Sequence, residues 1–182
     1  RRLATVTAST VANTELATKR DDKAEAERAA AEKAMDTAEH ILDLAERFKA
    51  GSQRAELAGK SVGFLFFRGS LRTRTSFEVA VQQLGGRGVH LSAGSDFWEL
   101  EARDGVVMDG TAPEHVRDAA AVMSTYCDAL AIRPKPAGKA WEVDRRDEGI
   151  RAWAQNSQVP VINMESALWH PLQVLADLLT LR

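Results

Sequence analysis

Ser70, Arg72, Thr73 and Arg74 stand almost side by side in the stretch FRGSLRTRTSFE (67–78), directly after the apolar run SVGFLFF (61–67). Two hydroxyls and two permanently charged guanidiniums suit a phosphate group. The hydroxyls donate single hydrogen bonds, and an arginine fork can span two oxygens. A helix starting near Leu71–Thr75 would put Ser70 at its N-cap, and its first amides would add free N–H groups and partial positive charge. A capping serine beside solvated arginines is the plain alternative for this turn taken alone. Other stretches weigh against it. Arg133 closes DALAIR (128–133), and His170, Pro171 and Gln173 follow VPVIN (159–163) within MESALWHPLQ. A histidine facing two arginines can donate to a carbonyl oxygen that is gaining charge. A glutamine amide both donates and accepts, so Gln173 could read another amide. In GSDFWELEARDG (94–105), Trp98 sits beside Phe97 in a polar loop. We expect its indole to be exposed and to reach a neighbouring subunit, whereas Trp141 and Trp153 read as core.

Four short apolar segments must position these groups: 61–67, 88–92, 128–133 and 159–163. Each has the continuous apolar character of a strand buried on both faces. Helical patterns fall between and after them, over 75–84, 113–126, about 145–155 and about 170–181. Alternation of this kind predicts an α/β three-layer sandwich, with a central parallel sheet of about four strands flanked by helices. Ligands of open parallel sheets bind beyond the carboxyl ends of the strands. The hydroxyls, arginines, histidine, glutamine and carboxylates above all follow a strand, so they should collect on one edge.

Ahead of the sheet, Asp21–Lys49 is rich in Ala, Glu and Lys and predicts a helix, with Met35, Ala38, Leu42, Ala45 and Phe48 on one face and Gly51 as its stop. Residues 1–22, rich in Thr, Ala and Ser, read as an N-terminal tail. A transit-like leader, a frayed end and the edge of a fragment all account for that composition. The domain proper is expected over 23–182.

Composition narrows the function classes. With 182 residues, 45% apolar and 27% charged, the chain can bury a core. A net charge of −2 argues against a general nucleic-acid or membrane-surface binder, so an anion site has to be local. The single cysteine, Cys127, excludes an internal disulfide and the usual zinc spacings, and reads as a small buried residue in a reducing compartment. No apolar run approaches the roughly 18 residues of a membrane span.

SLRTRTSFE, AIRP, and VPVIN followed by HPLQVLADLLTL, in that order and spacing, resemble the carbamoyltransferases, the class containing the aspartate and ornithine enzymes. The resemblance covers roughly residues 35–182 and is to the carbamoyl-phosphate-binding half. It implies that the acylornithine-binding domain is absent from this chain, which ends in the interdomain helix. DFWELE, GVVMDGTAPEH and VINMES are similar to the N-acetylornithine and N-succinylornithine branch. By this resemblance Ser70, the Leu71 backbone, Arg72 and Thr73 would grip the phosphate, and Thr73, Arg133 and His170 would polarise the carbonyl oxygen. Gln173 would bind the carbamoyl amide, Trp98 would come from the adjacent subunit of a homotrimer, and Glu165 would place the acylornithine. Arg72, Arg133 and His170 would be the catalytic groups. No metal or organic cofactor, nucleic acid or membrane is implied, and the expected location is cytoplasmic. The product would be N-acylcitrulline, in arginine biosynthesis. Two departures stand out. The branch often has Asn-Pro before the serine, and here it is Arg68-Gly69. Pro113 stands where the acetyl enzymes often carry Glu, and proline there resembles the succinyl type; on this one position both acyl groups stay open. An ornithine or aspartate carbamoyltransferase, and a carbamoyl-phosphate-binding fragment without catalysis, are the alternatives.

Overall fold

The computed structural model describes residues 2–51, 55–138 and 140–182, with side chains from residue 22 onward except residue 24. The chain divides into two units, the first ending at Ala50 and the second spanning Gly51–Arg182. The first is one helix, α1 (Arg2–Lys49). It starts well before Asp21, so residues 2–22, expected as a tail, are helical. It stops where expected: Gly51 has φ 90°, the left-handed conformation in which glycine ends helices without a Cβ clash. Arg47 and Lys49 lie in its last turn, where cations complement the helix dipole. Met35, expected on an apolar face, is 65% exposed.

The second unit is built on a four-stranded sheet of β1 (Ser61–Phe66), β2 (Arg87–Ser92), β5 (Ala129–Arg133) and β6 (Val161–Asn163). The spatial order is β2-β1-β5-β6, and every neighbouring pair is parallel. The register pairs Phe66 with both Ser92 and Arg133, and Ile132 with Asn163, so the carboxyl ends of all four strands finish level. Residues alternate across the central strands. Phe64, Phe66 and Ala131 face α2 (Leu71–Gln83) with Val81 and Met164. Leu65, Leu130 and Ile132 face α3 (Val116–Tyr126) and α5 (Glu148–Asn156) with Ala120 and Trp153. Helices on both faces of a parallel sheet make the three-layer α/β sandwich that the alternation predicted. Burial of each large side chain there contributes on the order of 1.5–3 kcal/mol.

Only β1 and β5 are buried on both faces. β2 and β6 are half-buried, because each has a neighbour on one side only. Gly63 shows how closely β5 approaches: a Cβ there would lie 2.9 Å from Leu130 Cδ2 and 3.2 Å from Cys127 Sγ. Cys127 is buried as expected, and that burial pushes its thiol pKa upward.

Several boundaries differ from the sequence expectation. α2 begins at Leu71, four residues ahead of Thr75. The helix expected from Pro113 begins at Val116, because Glu114–His115 (β4) pairs in parallel with Leu100–Glu101 (β3) in a separate two-stranded ribbon. His115 then caps α3. Its Nδ1 accepts from the Arg117 amide at 3.0 Å, which leaves Nε2 to donate to the Arg103 carbonyl at 3.1 Å. The helix expected over about 145–155 is α5, which begins at Glu148; a separate short helix, α4 (Trp141–Asp144), precedes it, with Asp147 in the left-handed conformation between them. Trp153 is buried at 2% exposure, but Trp141 is 59% exposed, which corrects its assignment to the core. α6 (Pro171–Leu181) closes the described chain, with Pro171 in its first turn, where the missing N–H is not needed.

Candidate functional site

Each site residue is placed by a strand that ends and a helix that begins. β1 stops at Phe66, and Phe67 N donates to the Arg133 carbonyl at 3.0 Å, so the chain leaves the sheet beside the tip of β5. Ser70 has extended backbone, φ −156° and ψ 122°, and its hydroxyl accepts from the Thr73 amide at 3.3 Å, which is the N-cap arrangement expected. The Leu71 and Arg72 amides open α2, where a helix has no internal acceptor for them. Leu71 itself is 84% exposed and does not line the cavity described below.

Arg133 ends β5 and is buried at 9% exposure. An arginine is seldom that buried without partners. Here Nη1 donates to Thr73 Oγ1 at 3.0 Å, and Nη2 lies 2.5 Å from Glu165 Oε2. Glu165 follows β6. Its other oxygen takes Arg68 Nη2, and its Oε2 is 3.5 Å from His170 Nε2. Arg68, from the loop after β1, was noted in the sequence only as a departure. An unanswered charge just after a buried strand was the signal that could have found it.

All of these groups except Arg68 line one cavity of about 410 Å³. From the first loop and α2 it takes Ser70, Arg72, Thr73, Ser76 and Phe77; from β5, Arg133; from the last loop and α6, Met164, Glu165, His170, Leu172 and Gln173. Seven of the residues singled out in the sequence are therefore together: Ser70, Arg72, Thr73, Arg133, Glu165, His170 and Gln173. Arg133 Nε, Arg68 Nε and His170 Nδ1 are buried and have no hydrogen-bond partner among the described residues. That is a surplus of donors around a polar hollow, with two cationic side chains and one carboxylate on its wall. Such a wall suits a small anion that also presents a carbonyl. Gln173 spends its amide nitrogen on Asp177 Oδ1 at 2.8 Å, one turn along α6.

The loop from Met164 to His170 is held from behind. Ser166 Oγ donates to Asp147 Oδ2 at 2.6 Å, and the Ala167 amide donates to Asp147 Oδ1 at 3.0 Å. Asn163 Nδ2 and the Trp169 amide both donate to Ser166 Oγ. Asp147 was not legible beforehand, since one aspartate in a charged stretch has no distinguishing spacing.

Trp98 lies apart. Its indole is 55% exposed, does not line the cavity, and donates from Nε1 to Glu114 Oε2 at 3.0 Å. Phe97 instead folds back, edge-on to Phe67 with centroids 5.5 Å apart.

A parallel α/β domain with an arginine-rich pocket across its strand tips is the kind that binds small anions at a helix N-terminus. The particular kind is fixed by comparison. Residues 29–182 match the family described as aspartate/ornithine carbamoyltransferase, carbamoyl-P binding domain, and the chain belongs to that family. It is 44% identical over 142 residues to the N-acetylornithine carbamoyltransferase of Xanthomonas campestris pv. campestris, covering 78% of this chain and 42% of that protein. It is 39% identical to the N-succinylornithine carbamoyltransferase of Bacteroides fragilis, covering 76% of this chain and 45% of that protein. Among solved structures, a point mutant of N-acetyl-L-ornithine transcarbamylase complexed with carbamyl phosphate and N-succinyl-L-norvaline superposes with TM-score 0.77 at 43% identity, over 80% of this chain and 44% of that one. The acetylornithine transcarbamylase complexed with acetylcitrulline gives the same TM-score at 42% identity, over 80% of this chain and 43% of that one. The chain thus spans less than half the length of these relatives.

Proposed function

We propose that this domain binds carbamoyl phosphate and serves transfer of the carbamoyl group to the side-chain amine of an N-acylated ornithine. The observation that carries the reading is the convergence on one cavity of Thr73, Arg133 and His170, from three separate strand tips, beside the N-terminus of α2. Ser70, the Leu71 amide, Arg72 and Thr73 hold the phosphate. Thr73, Arg133 and His170 donate to the carbonyl oxygen. Gln173 reads the carbamoyl amide, and Glu165 helps to place the acylornithine. The amine lone pair attacks the carbonyl carbon, and charge grows on the oxygen facing Arg133 and His170. The carbon–oxygen bond to phosphate then breaks, and phosphate leaves with that electron pair while the amine gives up a proton. The products are N-acylcitrulline and phosphate, as arginine biosynthesis in the cytoplasm requires. Preorganised donors and the alignment of two reactants supply the acceleration. Trp98 reaches the site of an adjacent subunit in a trimer.

Turnover of the full-length protein with carbamoyl phosphate and, in turn, N-acetylornithine, N-succinylornithine, ornithine and aspartate tests the assignment. We expect kcat/KM with one of the acylated ornithines to exceed that with ornithine and aspartate by at least about a hundredfold, the low end of what pocket contacts supply and well short of the roughly 10⁴-fold by which a hydrogen-bonding site rejects an analogue lacking its partner group. Preference for free ornithine or aspartate would move the protein to those branches. Carbamoyl phosphate binding without turnover on any acceptor would make it a binding module.

A further inference from the structure

Arg68 does not line the cavity, yet it holds the carboxylate that stands on the cavity's most buried guanidinium. Glu165 is stretched between two cations, with Oε1 on Arg68 Nη2 and Oε2 on Arg133 Nη2. Arg133 is the cation that faces the hollow and grips Thr73. An anion that fills the hollow, whether carbamoyl phosphate with its carbonyl oxygen on Arg133 or inorganic phosphate alone, would compete with the Glu165 carboxylate for the same Nη2, and two anions sharing one guanidinium repel strongly at this depth of burial. Arg68 offers the way out. Its Nε is buried and unpartnered, so a small rotation of the carboxylate towards Arg68 completes a two-point fork on Nε and Nη2 and frees Arg133 Nη2.

We infer that Arg68 is a positioning residue: it takes the Glu165 carboxylate off Arg133 when a phosphate-bearing anion enters, so the Arg68–Glu165–Arg133 relay sets the site's anion affinity. The inference rests on the reading of the cavity as an anion site. It concerns Arg68, which none of the phosphate, carbonyl or amide roles above employs. Both arginines are needed. Arg133 alone would be neutralised by Glu165, and Arg68 stands behind the wall, out of the anion's reach.

The test is calorimetric titration of the full-length protein with inorganic phosphate, with thermal melting to confirm folding. Arg68→Met keeps much of the aliphatic stem and removes the fork. It should weaken phosphate binding at least about tenfold, because a carboxylate with one partner left stays on Arg133. Glu165→Gln alone should tighten phosphate binding severalfold, and Arg68→Met/Glu165→Gln together should return it to within about threefold of wild type, since no carboxylate is left to hold. Arg68→Lys should fall between, as a point charge without the fork. Should Arg68→Met fail to fold, Arg68→Lys and Glu165→Gln decide. Wild-type affinity in Arg68→Met, no tightening in Glu165→Gln, or a double variant as weak as Arg68→Met overturns the relay. Wild-type protein that does not bind phosphate overturns the anion site itself, and the relay with it.

Discussion

Arg133 and Thr73 stand 60 positions apart in the chain and share one hydrogen bond, Nη1 donating to Oγ1 over 3.0 Å. The bond ties the tip of β5 to the first turn of α2, and it fixes the direction in which a buried guanidinium points. Thr73 is thus an acceptor for Arg133, and its own hydroxyl hydrogen is left to donate elsewhere. Thr73→Val keeps the shape and removes both abilities. We expect kcat for carbamoyl transfer to fall about a hundredfold or more, as when one preorganised donor to a developing oxyanion is deleted. Thr73→Ser should keep most of the activity. Steady-state kinetics on the folded variants is the check, and unaltered kcat in Thr73→Val would take Thr73 out of the chemistry.

Trp98 invites a different measurement. The indole is exposed and tethered at Nε1 by Glu114, so it is presented outward in a set orientation instead of being left to find its own cover. If it completes a neighbour's site, Trp98→Ala and Arg72→Ala are each inactive for opposite reasons. Mixed and reassembled, they form some sites with a good wall from one chain and a good indole from the other. Activity recovered on mixing two inactive preparations is the expected result. No recovery at any mixing ratio would mean that Trp98 acts in its own chain or not at all.

The strand tips were legible because both-sided burial writes itself as an unbroken apolar run, and the residue after the run is then at the carboxyl edge. Ser70 and Arg133, after β1 and β5, could be placed that way without knowing the sheet order. The Arg68–Glu165 pair could not, because it spans 97 positions and depends on which strands are neighbours, a fact of tertiary structure. The ribbon of Leu100–Glu101 with Glu114–His115 was invisible for another reason: two-residue strands are too short to show any period. Trp141 was misplaced because it opens a four-residue helix on the surface, where an aromatic has no apolar face to join. The start of α1 was misjudged since Thr- and Ser-rich composition lowers helix propensity by only a few tenths of a kcal/mol per residue.

Acid should weaken the fold through two carboxylates outside the cavity. Asp128 accepts from Lys60 Nζ at 2.7 Å and from the Ser61 amide at 2.9 Å, and the Lys60 bond leads in holding its pKa below the ordinary value. Glu101 takes Nε and Nη2 of Arg103, which lowers its pKa to about 2. A carboxylate with a depressed folded pKa stabilises the fold fully above its unfolded value. That contribution is lost as pH falls through the folded value. The window therefore opens near the ordinary carboxylate pKa of about 4 and extends down to about 2. Denaturant midpoints should fall across this interval in the wild type and fall less in Asp128→Asn/Glu101→Gln. Salt should narrow the gap, because both pairs are open to solvent. Equal slopes in the two proteins would show that neither carboxylate is linked to folding.

Asp147 is the structural support whose loss should be felt at a distance. It is buried, and it holds φ 51° without being glycine, a conformation that aspartate tolerates better than most residues. Its two oxygens are both occupied, one by the Ser166 hydroxyl and one by the Ala167 amide, so the loop that carries Glu165 and His170 is pinned from below. Asp147→Ala leaves those two donors without their acceptor and puts a Cβ residue with no local hydrogen-bonding ability in the left-handed region. We expect a cost of about 2–4 kcal/mol in unfolding free energy, in line with unsatisfied buried donors plus backbone strain. Asp147→Gly separates the two contributions, since it removes the acceptor but relieves the strain, and should recover part of the loss. Ser166→Ala should cost less than Asp147→Ala, because the Ala167 amide keeps its partner. In a double-mutant cycle Asp147→Ala and Ser166→Ala should be non-additive, as partners in one bond are. Additive costs would show that the two side chains hold the loop independently.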